Sequence, residues 1–128
     1  RRVLFRSDFG HSFSPIIEMQ NVATLQHGEA VVLDCLFSSC IAKVRGYIDK
    51  DTLQRIFNTA KRLKLPVFHK DFTDYYLLSK SLSDTMKHRN GNQYLPVPID
   101  IGNYKIVNDV MDVEIKLAIE LFKKYGNE

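Results

Sequence analysis

Two short words near the start of the chain hold the residue types that do chemistry. Asp8-Phe9-Gly10-His11-Ser12-Phe13-Ser14-Pro15-Ile16-Ile17-Glu18 is followed by Leu25-Gln26-His27-Gly28-Glu29-Ala30-Val31. Each histidine stands beside a glycine and near a carboxylate, with a helical segment between the two. Neutral imidazole is the commonest protein ligand for zinc-type ions, and glycine lets the backbone pass close to a bound group. An open catalytic zinc site takes three protein ligands, so His11 and His27 make an incomplete set. By spacing alone, two histidines this far apart are ordinarily unrelated side chains.

The elements that must position them are helical. Ser14 and Pro15 predict a helix start, with Ser as N-cap and Pro at the first helical position; Ile16, Ile17, Met19 and Val22 supply its apolar stripe. His11 then lies on the turn just before this helix. Glu18 reads as a capping or salt-bridging group, near the positive end of the helix dipole. His27-Gly28-Glu29 opens a long segment, apolar or small until Lys43, that runs to Arg45 and stops at Gly46. It is predicted to be the central buried helix of a bundle, carrying His27 at its beginning. Glu29 reads as a supporting or capping group.

Further along, an amphipathic helix is predicted within 49–65, with Leu53, Ile56, Phe57, Ala60 and Leu63 on one stripe. His69 follows in a loop, with nothing near it in sequence to make it a ligand. Residues 71–87 predict another helix with Phe72, Tyr75, Tyr76, Leu78, Leu82 and Met86 mostly inward. The cationic turn Met86-Lys87-His88-Arg89-Asn90-Gly91-Asn92 comes next. Residues 94–99 and 104–107 predict a small β-hairpin whose first strand is an edge, because Pro96 and Pro98 cannot donate ladder hydrogen bonds. A last helix starts near Asp109, with Val113, Ile115, Leu117, Ala118, Leu121 and Phe122 apolar. The fold class is mainly α: a helical bundle with one small β-hairpin, in a single domain over 1–128.

With 128 residues, 45% hydrophobic and 26% charged, the chain suits one domain with one core. A net charge of +3 is too small to argue for a nucleic-acid or membrane partner. No apolar run is long enough to span a bilayer, and no signal-peptide pattern is present, so a cytoplasmic location is expected. Cys35 and Cys40 fall five positions apart in one predicted helix, on different faces, and read as reduced structural thiols.

The two histidine words resemble the metal-binding half of the dehydroquinate synthase superfamily, the sugar-phosphate cyclases. The resemblance implies that His11 and His27 bind zinc or cobalt, with a third ligand, a glutamate, expected upstream of Arg1. It covers almost the whole chain, yet only about the C-terminal third of such an enzyme. A fragment is therefore expected, with the NAD-binding domain on the missing N-terminal side and a homodimer as the assembly. Dehydroquinate synthases usually carry Asn at the place of Asp8 and His at the place of Pro15. Asp8 with Pro15 looks like the branch that cyclises sedoheptulose 7-phosphate, the 2-epi-5-epi-valiolone synthases.

By the same resemblance, Asp8 accepts a hydrogen bond from a substrate hydroxyl. His88 or Arg89 takes the place of a substrate-contacting lysine, and protonated His88 stabilises anionic charge. Arg2 and Arg6 are guanidinium candidates for the substrate phosphate; the family's own arginine offset falls on Leu4. The reaction implied is oxidation of a hydroxyl by NAD, loss of phosphate, reduction and aldol closure. The alternatives are 3-dehydroquinate synthase, a metal-dependent alcohol dehydrogenase-like enzyme, or a non-catalytic helical fragment.

Overall fold

A computed structural model of the chain describes residues 12–21, 23–87, 93, 95–100 and 103–127. Among these, the elements in order are α1 (Ser14–Gln20), α2 (His27–Val44), α3 (Lys50–Arg62), a 3-10 turn (Lys70–Thr73), α4 (Tyr75–Lys87), β1 (Leu95–Asp100), β2 (Asn103–Val107) and α5 (Asp112–Gly126). The helical bundle with one antiparallel hairpin expected from the pattern is the fold observed. None of the described helices is long and apolar enough to cross a membrane.

The hub is α2. It packs against α1, α3, α5 and β1, and buries Ala30, Leu33, Leu36, Phe37, Cys40, Ile41 and Ala42. A helix touched on several sides needs apolar or small residues all round, which is why its sequence shows no single stripe. It begins with Glu29 Oε1 accepting from the Gln26 N–H at 3.0 Å, so Glu29 is a cap. It ends in a Schellman motif: Tyr47 N–H reaches Ala42 O at 2.9 Å and Gly46 N–H reaches Lys43 O at 3.0 Å. Gly46 takes φ +79° there, as a C′ residue in this motif does. The same motif closes α3, with Leu65 N–H on Ala60 O at 2.9 Å and Lys64 N–H on Lys61 O at 3.0 Å. Lys64 occupies the left-handed position at φ 61°, where glycine is the usual residue.

The core is a knot of phenylalanines. Phe122 of α5 lies with its ring centroid 6.0 Å from Phe37, 6.2 Å from Phe57, 5.6 Å from Phe68 and 5.7 Å from Phe72. One ring thus joins α2, α3, the 3-10 turn and the strand-like segment before it. Gly126 ends α5 against that segment: a Cβ there would stand 2.6 Å from the Val67 carbonyl oxygen. At the other end of α5, Arg45 binds Glu114 through Nε–Oε2 at 2.9 Å and Nη2–Oε1 at 3.0 Å, and Asp109 through Nη1 at 2.8 Å. These ion pairs tie the last turn of α2 to the start of α5 and the residues before it.

Three local expectations are corrected. The helix predicted over 71–87 is broken: the 3-10 turn holds Lys70–Thr73, Asp74 accepts from Leu77 N–H at 3.1 Å, and α4 starts only at Tyr75. A side chain that can cap a new helix competes with continuing the old turn. His69, as expected, lies in the loop before the 3-10 turn in a structural role, accepting from Asp71 N–H through Nδ1 at 3.1 Å. Tyr76 points outward, 82% exposed, while its neighbour Tyr75 is half-buried beneath Lys116. Leu63, Val113 and Leu117 are likewise exposed. Leu63 falls at the α3 C-cap, and the inward face of α5 runs instead through Ile115, Ala118, Ile119, Phe122 and Tyr125.

If Phe122 is the joint of this core, Phe122→Ala lowers unfolding free energy by about 3–5 kcal/mol, the range for a buried Phe truncation. Urea denaturation followed by helical circular dichroism measures it, with Leu117→Ala on the exposed face of α5 as the near-neutral control.

Candidate functional site

The start of α1 is held by residues far away in sequence. The pattern predicted Ser14 as its N-cap, but the helix begins one residue earlier: Phe13 is the N-cap and makes no side-chain cap bond. The cap comes from α2. Asp34 Oδ2 accepts from Phe13 N–H and from Ser14 N–H, each at 2.8 Å. Asp34 is 0% exposed, in the middle of the most buried helix. A carboxylate buried there needs donors, and two backbone N–H groups at a helix N-terminus meet it. On the opposite side, α4 supplies donors for the carbonyls: Ser81 Oγ donates to Phe13 O at 3.0 Å and Thr85 Oγ1 to Ser12 O at 2.9 Å. The backbone directly after His11 is therefore gripped from two helices.

His27 is the first residue of α2, and its side chain is 62% exposed. Its Nδ1 stands 2.9 Å from Glu18 Oε1 and 3.0 Å from Oε2, across the gap to α1. An ionised carboxylate only accepts, so the proton of this contact sits on Nδ1 and the lone pair of the neutral ring sits on Nε2. Glu18 thus occupies the salt-bridging role read from the sequence. This arrangement suits a metal-binding imidazole, in which one ring nitrogen ligates and the other donates to a carboxylate. Asp34 contacts the first residues of α1 while His27, seven residues earlier in α2, contacts residue 18. The two helices therefore run in opposite directions.

Arg2, Leu4, Arg6, Asp8, His11, His88 and Arg89 lie outside the described residues. Pro15 lies exposed in the first turn of α1. Among the described residues no three His, Cys, Asp or Glu side chains gather into a metal-binding group. Asp34, Ser81 and Thr85 are the positioning residues that sequence reading missed. The one signal was a lone carboxylate inside an otherwise apolar helix, which demands a buried partner.

Residues 1–89 match the family model described as 3-dehydroquinate synthase C-terminal. The chain belongs to this family. Within it, the chain is 45% identical over 112 residues to a 2-epi-5-epi-valiolone synthase of Streptomyces hygroscopicus subsp. jinggangensis, covering 88% of this chain and 27% of that protein. A 2-epi-5-epi-valiolone synthase of an Actinomyces species is 38% identical over 119 residues, 93% of this chain and 31% of its own length. A 3-dehydroquinate synthase of Vibrio atlanticus is 30% identical over 114 residues, 88% of this chain and 32% of its own. The chain thus spans less than a third of the length of these relatives. Among solved structures, the Streptomyces hygroscopicus synthase ValA, with NAD+ and Zn2+ bound, superposes with a TM-score of 0.87 at 42% identity, over 91% of this chain and 32% of that one.

Cys35 is half-buried and Cys40 buried in α2. Both are free, and burial pushes the Cys35 thiol up to about 12, with the nearby Asp34 carboxylate adding to the effect. Burial also raises the Cys40 thiol. Native protein is therefore expected to react slowly with a thiol reagent at neutral pH, at a rate that is still rising above pH 9, where that of an ordinary thiol levels off. Because the folded thiols keep protons that the unfolded chain releases, stability falls as pH rises from the ordinary value of 9.0 toward about 12. Cys35→Ser is expected to flatten that slope in pH-dependent urea melts.

Removing the Asp34 carboxylate strands two buried N–H groups. Asp34→Ala is expected to cost about 2–6 kcal/mol, since each unmet buried donor costs about 1–3 kcal/mol. Asp34→Asn, whose amide oxygen accepts both bonds, is expected to lose less. Denaturant midpoints compare the two.

Proposed function

We propose that this chain is the C-terminal metal- and substrate-binding domain of a metal- and NAD-dependent sugar-phosphate cyclase, in which a separate N-terminal domain binds NAD. Its reaction is the cyclisation of sedoheptulose 7-phosphate to 2-epi-5-epi-valiolone with release of phosphate. The observation that carries this reading is the imidazole of His27 at the head of α2, with Nδ1 on Glu18 and its Nε2 lone pair suited to an ion. Family membership and the valiolone synthases among its relatives support it.

In this reading His11 and His27 hold zinc or cobalt, together with a glutamate from the N-terminal side. Such an ion would hold adjacent hydroxyls and acidify one, and bound NAD would supply hydride chemistry. The chain's own residues do the rest. Asp8 accepts a hydrogen bond from a substrate hydroxyl and so fixes the sugar's orientation. His88, protonated, and Arg89 meet anionic charge on the substrate, and Arg6 serves the phosphate. Cys35 and Cys40, as reduced thiols, fit a protein of the cytoplasm.

The substrate choice rests on Asp8 and Pro15. An Asn both donates and accepts, whereas an ionised Asp only accepts, so Asp8 selects a hydroxyl donor. A heptulose phosphate offers hydroxyls, while the dehydroquinate precursor also carries a carboxylate that Asp8 repels. Pro15 offers no hydrogen-bond donor to an anion. Loss of a charged hydrogen bond is worth about 1.5–3 kcal/mol, or roughly 10–100-fold per position.

The test is a side-by-side assay of the complete enzyme on both sugar phosphates, scored by phosphate release. Sedoheptulose 7-phosphate is expected to turn over at least tenfold more efficiently. Equal efficiency on the carboxylated substrate makes the protein a 3-dehydroquinate synthase, the activity of its Vibrio atlanticus relative. NAD-linked oxidation without phosphate release makes it an alcohol dehydrogenase-like enzyme. In the same enzyme His27→Ala is expected to abolish bound metal and turnover while helical circular dichroism persists, and the 128-residue chain alone is expected to show no turnover.

A further inference from the structure

The contact between Glu18 and His27 asks what a carboxylate is doing on a histidine at the molecule's surface. A solvent-exposed ion pair between flexible side chains is worth little to stability. This pair differs from that case in how it is mounted. Glu18 stands in the second turn of α1, whose first turn is fixed by the buried carboxylate of Asp34 and by Ser81 and Thr85 of α4. His27 stands at the head of α2, where Glu29 caps the helix. Both partners therefore project from anchored helices, nine residues apart in sequence and on different elements. Both carboxylate oxygens lie within 3.0 Å of one ring nitrogen.

We propose that Glu18 is the positioning residue for His27: its carboxylate holds the Nδ1–H, and so fixes Nε2 as the nitrogen offered to a divalent transition-metal ion. The inference rests on the metal role of His27 in the proposed function. A histidine on a solvent-facing helix start otherwise samples several ring orientations and both tautomers, and only one combination aims a lone pair at a given point. An accepting carboxylate removes the wrong tautomer and raises the basicity of the ligating nitrogen. Glu18 touches the ligand and has no reacting atom of its own.

The test measures zinc affinity in the complete enzyme by competition with a chromophoric chelator, and the visible absorption of the cobalt-substituted protein. Glu18→Ala is expected to weaken zinc binding about 10–100-fold and to change the cobalt spectrum, with helical circular dichroism unchanged. Glu18→Gln, whose amide oxygen accepts from the same Nδ1–H, is expected to recover most of the affinity and the wild-type spectrum. His27→Ala is expected to lose the ion outright. Wild-type zinc affinity and cobalt spectrum in Glu18→Ala, with His27→Ala metal-free, overturn the positioning role and leave the metal site standing. Equal losses in the Ala and Gln variants also overturn it. Wild-type metal binding in His27→Ala overturns the metal reading itself. If Glu18→Ala loses its helical signal, Glu18→Gln decides: full affinity supports the role, and a loss as deep as that of His27→Ala refutes it.

Discussion

Asp34 places a carboxylate where the molecule has its least water, and the surrounding structure is arranged around satisfying it. A buried charge without partners costs several kcal/mol, so the fold is stable only when something brings donors to this point in α2. What comes is the N-terminus of α1, with its N–H groups of Phe13 and Ser14 and the positive end of its dipole. The cost of burying the charge and the cost of leaving helix-end donors unmet cancel in one contact. Because the contact has a direction, it sets where α1 starts and which way it runs along α2.

Much of the site geometry follows from that placement. Once α1 starts at Asp34 and runs back toward the head of α2, its second turn passes His27, and Glu18 meets the imidazole. Ser81 and Thr85 complete the hold from α4 by donating to Phe13 and Ser12 carbonyls. The segment entering α1 is thus fixed at both its donors and its acceptors. That grip fixes the backbone of Ser12 and Phe13 at the entry to α1. Ligand sites tolerate small errors poorly, and support from packed helices is how folds limit them.

The remaining contacts keep the hub itself straight and oriented. Phe122 joins four aromatic neighbours from three elements and the segment before the 3-10 turn, so α5 cannot shift without opening the core. Arg45 binds Glu114 through two nitrogens and Asp109 through a third, which ties the far end of α2 to the start of α5. The hairpin lays Leu95 and Val97 onto α2, leaving Pro96 and Pro98 in a strand whose one partner among the described residues is β2, where a missing N–H does least harm.

The amino-acid order alone carried the class of the fold, the central helix and its stop at Gly46, the hairpin, and the two histidine words that mark the family. These are local or periodic signals: a run with no polar face, a residue that takes positive φ, a motif read in one window. Tertiary structure decided what needed two windows at once. Ser14 looks like a cap because serine can be one, but a buried carboxylate twenty residues away outbid it. Asp74 broke a helix that periodicity joined, and Tyr76, Val113 and Leu117 turned outward because their helices rotated to bury other faces. The pairing of Glu18 with His27 was equally beyond reach of the sequence, since it depends on the direction of α1. That direction was settled by Asp34, whose charge could be buried only where the donors of another helix arrive.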